Sequence, residues 1–258
     1  MTVVVGIKCK DGMVVASDSL TTFGRGSPVL RYSNKVRVIE HEGLLHPVVV
    51  GAAGYTVYFD KFVSRAKRHV IAAQHEKLQR KLDIIDFCDR VCEPIVAALL
   101  KEYHFDRNQF FGVPTSEFGL SMIVAGATKE GEIIPYTAYG DGLTEPLDQY
   151  GTIGSGAAYA ELFLRYLLTE KQLDTAKALR LAIYAIKGVE LIDPNVGGIT
   201  SVKLLKMQNN HLIVSECQPN KRPPNPKGRM EKVLKNIGNE LEQLVIKKQK
   251  HDGARKKK

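Results

Sequence analysis

The chain is predicted to be an α+β protein, because short β-branched runs arrive in three groups separated by two pairs of helix-spaced segments. The order read along the 258 residues is strands, two helices, strands, two helices, strands. Asp-Gly and Asn-Asn turn signals between adjacent apolar runs support the strand groups as antiparallel hairpins.

Residues 2–7 and 13–17 are apolar and β-branched and are joined by Lys10-Asp11-Gly12, so they are predicted to pair. That pairing returns Asp18 to the neighbourhood of Thr2. A third extended stretch, residues 29–39, carries Lys35 just ahead of the run VRVI, and Gly51 ends the run PVVV. Residues 55–79 place Val57, Phe59, Phe62, Val63, Ala66, Val70 and Ile71 at helical spacing. A second helix is predicted over 84–103, entered behind Leu82-Asp83. Strands follow at 118–127 and 133–138 around Lys129-Glu130-Gly131, helices at 157–168 and 174–191, and strands at 199–207 and 212–215 around Asn209-Asn210.

Thr2, Asp18 and Lys35 together suggest one chemistry. A threonine hydroxyl is a weak nucleophile until a base takes its proton, and the residue's own α-amine can be that base once Met1 is removed. An α-amine has an ordinary pKa of about 7.7–8.0, and a neighbouring ammonium disfavours its protonation. Lys35 is read as that ammonium, Asp18 as the group that orients it, and the Gly51 N–H as a donor to the oxyanion.

These residues resemble the proteasome β-type subunits and the related HslV-like peptidases, members of the N-terminal-nucleophile hydrolases. The resemblance rests on TVVVGIKCKDGMVVASDS, VVVGAAG, Gly154-Ser155-Gly156 and DPNVGGITS, and covers roughly residues 2–216. It implies a four-layer αββα sandwich with Thr2, Asp18 and Lys35 at the catalytic positions, Gly51 at the oxyanion glycine, and Ser155 and Asp193 completing the network. Lys35 stands one residue further along than the family usually has it. Val196 occupies the place of a second serine, and Ser19 and Leu20 stand where arginines are frequent. The same resemblance implies a side-chain pocket lined by Thr21, Thr22, Ser33, Arg37, Val49, Ala53 and Val57. Val49 and Ala53 suit a medium apolar side chain, whereas Arg37 would favour an acid. The implied protein cuts peptide bonds of proteins or peptides with no metal or organic cofactor, inside a self-assembling homo-oligomeric ring that an ATPase unfoldase could feed. Two other readings stay open: an acyl-transferring ligase or transpeptidase of the same mechanism, and an inactive structural ring subunit that keeps Met1. No long propeptide is expected ahead of Thr2, so a methionine aminopeptidase suffices to expose it.

Composition narrows the other classes. The hydrophobic content of 44% allows one substantial core, and two domains are not required. No apolar run is long enough to span a bilayer and no signal-peptide pattern follows Met1, so a cytoplasmic location is expected. Cys9, Cys88, Cys92 and Cys217 have no disulfide-framework or zinc-ribbon spacing, and Cys88 and Cys92 are read as core. His41-Glu42-Gly43-Leu44-Leu45-His46 has one residue too many for a zincin helix and is read as a hairpin connection. Gly154-Ser155-Gly156 lacks the outer glycines of a nucleophile elbow.

The net charge of +9 is concentrated at the C-terminal end, where thirteen Lys or Arg stand against five acids from Ser215 onward. Residues 1–216 are therefore read as the hydrolase domain, and 217–258 as a Pro-rich linker, a helix carrying Leu234, Ile237, Leu241 and Leu244, and a basic end. That helix either docks on its own subunit or contacts another. A basic tail beyond a complete domain is not a nucleic-acid site by itself, and nucleic acid is not expected as a partner.

Overall fold

The computed structural model describes residues 2–23, 29–73, 80–110, 119–168 and 173–217. The predicted C-terminal helix and basic end lie outside them, as does the end of the helix predicted over 55–79. The expected hairpin forms from β1 (Val4–Cys9) and β2 (Gly12–Ser17), with Cys9 opposite Gly12 and Val4 opposite Ser17. Only Lys10 and Asp11 make the turn. Asp11 does more than turn the chain: its carboxylate accepts from the Thr175 N–H (2.8 Å) and hydroxyl (3.0 Å) and from Lys206 (2.9 Å).

β1 and β2 lie inside a five-stranded sheet ordered β10-β1-β2-β11-β12, with β10 at Tyr150–Ile153, β11 at Ser201–Gln208 and β12 at His211–Cys217. Asn209 and Asn210, with φ of 49° and 60°, form the two-residue turn between the last two strands, the left-handed geometry that matches strand twist. A second sheet runs β5 (Val36–Ile39), β6 (Val48–Gly54), β7 (Leu120–Ala127), β8 (Ile133–Ala138) and β9 (Thr144–Pro146). Between them in sequence lies a hairpin that the sequence reading missed, β3 (Leu20–Phe23) with β4 (Val29–Tyr32).

The extended run predicted over 29–39 is thus two strands. Asn34 breaks it by accepting from the Val36 N–H through its side chain (3.1 Å), a local bond that competes with the ladder.

The helices are α1 (Thr56–Ala73), α2 (Ile84–Phe87), α3 (Glu93–Phe110), α4 (Ala157–Leu167) and α5 (Thr175–Ile192). α2 starts where its cap predicts, since the Asp83 carboxylate accepts from the Asp86 N–H at 3.0 Å. A π-turn over Cys88–Cys92 joins α2 to α3 and buries both cysteines. Burial pushes both thiols up, Cys92 to about 12, so neither is a thiolate near neutral pH.

Strand alternation sorts the apolar residues into three cores. Val3, Val5, Ile7, Val14 and Ala16 face α4 and α5, while Val4, Met13 and Val15 face Val36, Val49, Ile123 and Ala125 of the second sheet. Val48, Val50, Met122 and Val124 then point away from that interface, against Phe59, Phe62, Phe87 and Leu99 of α1 to α3. Helix, sheet, sheet, helix is the four-layer αββα sandwich that the resemblance implied.

Asp11 ties the first sheet to α5. Burial pushes its carboxyl up, but the bonds from Lys206 and Thr175 outweigh burial and hold it below the ordinary carboxylate range. A carboxyl lowered on folding adds stability above its unfolded pKa of about 3.9, and the contribution is lost as pH falls through the folded value. Asp11→Ala is expected to cost about 1–2 kcal/mol at neutral pH in urea melts. The difference from the parent should vanish in acid.

Candidate active site

Thr2 is only 6% exposed, and strand alternation puts its side chain on the inter-sheet face with Val4. Its nitrogen donates to Ser155 Oγ at 3.0 Å, and its carbonyl accepts from the Gly156 N–H at 3.1 Å. Gly154 is required there. With φ of +98°, a Cβ on it would lie 2.3 Å from the Thr2 carbonyl oxygen.

Asp18, at the end of β2, gathers the rest. Its Oδ1 accepts from the Val3 N–H (3.0 Å) and from Lys35 Nζ (2.9 Å). Oδ2 accepts from Lys35 (3.0 Å), from the Leu20 N–H (3.2 Å) and from the Gly197 N–H (3.2 Å). Lys35 also donates to the Leu20 carbonyl. The pair is almost fully buried. Burial dominates both titrations, lifting the Asp18 carboxyl and lowering the Lys35 ammonium, while their mutual attraction opposes it. Lys35 thus lies one carboxylate away from the backbone that follows Thr2.

Gly51 packs tightly, since a Cβ there would come within 2.7 Å of Val4. Ala52 donates to the Lys35 carbonyl (2.8 Å) on the β5 side, and Tyr55 donates to the Gly119 carbonyl (3.1 Å) on the β7 side. Alternation therefore turns the Gly51 N–H toward its partner Ile123 in β7. Asp193 caps α5 and spends its carboxylate on Asn195, accepting from the backbone N–H (2.9 Å) and side-chain amide (3.1 Å). Among the described residues, no hydrogen bond joins it to Ser155, which meets the Thr2 nitrogen. Val196, in the place of the family's second serine, is buried in the α4/α5 core against Gly156.

Of the predicted pocket residues, Thr21 and Ser33 share a 2.6 Å hydroxyl contact, joining β3 to the residue after β4. Val49 and Ala53 are buried between the sheets, and Ala53 lies against Gly154 beside Thr2. Val57 stands exposed on the first turn of α1. Thr22 pairs with Leu30 in the β3–β4 hairpin, and its side chain lies outside the described residues. Arg37 pairs with Asp60 and stacks over Phe59 at 4.7 Å, on the helix side of β5.

The sequence reading missed the donors from Leu20 and Gly197, and also Ser19, whose Oγ accepts from the Ile199 N–H at 2.8 Å. The Gly197-Gly198 pair was the available signal, because Gly198 has φ of +84° and packs against Ser19 and Tyr32. His41 to His46 form a β5–β6 connection as expected, with the Gly43 N–H donating to His41 Nδ1 at 3.0 Å.

Residues 2–203, most of the chain, match the proteasome subunit family. The chain belongs to the proteasome family. Solved structures that share its fold include Anbu, an ancestral β-subunit, from Yersinia bercovieri, with a TM-score of 0.71 at 15% identity over 94% of this chain and 96% of that one. The helical assembly of the Anbu complex from Pseudomonas aeruginosa gives 0.71 at 15% identity over 93% and 96%. A Gly-1 mutant of Anbu from Hyphomicrobium sp. strain MC1 gives 0.70 at 14% identity over 95% and 97%. At such identities the likeness is one of fold. No curated protein matches the chain. Among the described residues, no helix is long and apolar enough to cross a membrane.

Proposed function

We propose that this proteasome-family chain is a threonine endopeptidase whose nucleophile is Thr2 after Met1 is removed. The observation that carries it is the Asp18 carboxylate, which grips both Lys35 and the backbone N–H next to Thr2 while Ser155 meets the Thr2 nitrogen from the other side. In this reading Thr2 Oγ attacks the scissile carbonyl as its own amine takes the proton. The buried Lys35 ammonium disfavours a protonated amine and so keeps the base available near neutral pH. Ser155 Oγ orients the nitrogen, and the amine returns its proton to the leaving peptide nitrogen. Water then enters, gives a proton to the same amine and hydrolyses the ester on Thr2.

Val49 and Ala53 near Thr2 favour small to medium apolar side chains before the cut bond. The test is cleavage of fluorogenic peptides with Ala, Val or Leu at that position against Asp or Glu, with Thr2→Ala as control. Turnover of the acidic peptides alone would contradict the pocket reading, and no turnover of any would contradict the function.

The family also supports self-assembly, and we propose a homo-oligomeric ring in the cytoplasm, formed by residues 1–216 and open to an ATPase unfoldase. Tyr159, Leu162 and Tyr166 stand exposed along one side of α4, Tyr166 at 80%, a larger apolar stripe than a helix facing only water would carry. Leu162→Glu with Tyr166→Glu is expected to shift sedimentation to smaller species while leaving the monomer folded.

A further inference from the structure

We propose that Lys187, paired with Glu190 on α5, is a positioning residue for the site around Thr2: it fixes the Gly197-Gly198 loop, and that loop sets where the Asp18 carboxylate holds Lys35. The effect on rate rests on the peptidase reading. Gly197 braces the end of β2 with both of its backbone groups. Its N–H donates to Asp18 Oδ2 at 3.2 Å, and its carbonyl accepts from the Ser19 N–H (3.1 Å) and the Leu20 N–H (2.9 Å). Ile199 adds a bond from its N–H to Ser19 Oγ at 2.8 Å. Asp18, which grips Lys35 and the Val3 N–H, is therefore only as well placed as this loop.

The loop is held in turn from α5. Neither glycine has a side chain to pack, and Gly198 takes φ of +84°. Lys187 Nζ donates to the Gly198 carbonyl at 3.3 Å and also to Glu190 Oε2. The Glu190 carboxylate lies against Gly197, where an added Cβ would meet its Oε1 at 3.1 Å. Ser19 and Tyr32 close on Gly198 from the other chain segment, at 2.6 and 2.7 Å from such a Cβ. Lys187 and Glu190 are both partly exposed, and an ion pair of that kind adds little to stability. Its consequence is one of place. Without Lys187 the Gly198 carbonyl loses a donor and Glu190 is left unpaired beside Gly197, so the loop leaves its bonds to residues 18–20 more often. A misplacement of about 1 Å that starts far from the reacting atoms can slow a reaction about a hundredfold.

The experiment compares Lys187→Met and Lys187→Arg with the parent as full-length protein, by peptide cleavage and by hydrogen exchange. Lys187→Met is expected to lower kcat at least about tenfold with KM within about twofold of the parent, because substrate binding is untouched and the placement of the reacting groups is not. Its thermal melt should stay close to that of the parent. Lys187→Arg keeps a cation that can donate to both Glu190 and the Gly198 carbonyl, and should recover most of the lost kcat. In Lys187→Met, segments 17–20 and 196–200 should exchange at least about tenfold faster, while β1 stays as protected as in the parent. A kcat for Lys187→Met within twofold of the parent, or a Lys187→Arg variant no better than Lys187→Met, would overturn the proposal. If the parent cleaves no peptide, the peptidase reading falls and exchange alone decides: faster exchange at 17–20 keeps Lys187 as the residue that positions Asp18, and unchanged exchange there removes it.

Discussion

Asp18→Ala is expected to lose about 3–5 kcal/mol of stability, the effect of stripping one partner from a buried ion pair. The change leaves the Lys35 ammonium in a dry site and also removes the acceptor of the Val3, Leu20 and Gly197 N–H groups. Asp18→Asn should cost less, since an amide oxygen can still accept from the backbone. Pairing Asp18→Asn with Lys35→Met should recover part of the loss, because no unpaired charge then remains. Urea melts of the three variants read these differences directly. A loss under about 1 kcal/mol for Asp18→Ala, the range of exposed pairs, would contradict the buried geometry.

Thr2→Ala is expected to lower kcat/KM for peptide cleavage by at least about a thousandfold while leaving the melt within about 1 kcal/mol of the parent. The hydroxyl is the only group removed that the proposed reaction uses, and the backbone contacts of Thr2 stay. Thr2→Ser should keep a large part of the activity, because serine supplies the same hydroxyl and amine. Lys35→Ala should be nearly as damaging to rate as Thr2→Ala, and it should also move the acid limb of the pH profile upward. Without the neighbouring ammonium the amine holds its proton to higher pH, so the free base appears later. An unmoved acid limb would mean that Lys35 shapes the site without tuning the amine.

The helices and most strands could be read from sequence because each is written in a local pattern. The Asp83 cap announces α2, the Asn-Asn turn announces the last hairpin, and the strand at 133–138 stands between clear turns. The β3–β4 hairpin escaped because β3, Leu-Thr-Thr-Phe, carries little apolar alternation. Asn34 splits an apparently continuous strand through one side-chain bond that no periodicity reveals.

At the site, the approach of Thr2 and Asp18 was legible because the hairpin returns one beside the other, whereas Ser155 was placed only through the family resemblance. The direction of the Gly51 N–H was not legible, since it depends on the registers of β5, β6 and β7 at once. Asp193 likewise has the right residue type and the right neighbours, and a local turn with Asn195 takes its carboxylate first. Sequence spacing selects which residues approach Thr2. The hydrogen-bond competition within the fold decides what each of them does there.

The most direct measurement is the intact mass of the purified protein before and after a peptide epoxyketone, a warhead that needs both a free threonine amine and its hydroxyl. The expected result is a chain that has lost Met1, gains one adduct, and gains none when Thr2 is alanine. A chain that keeps Met1 and gains nothing would contradict the N-terminal nucleophile and leave a structural subunit of the family.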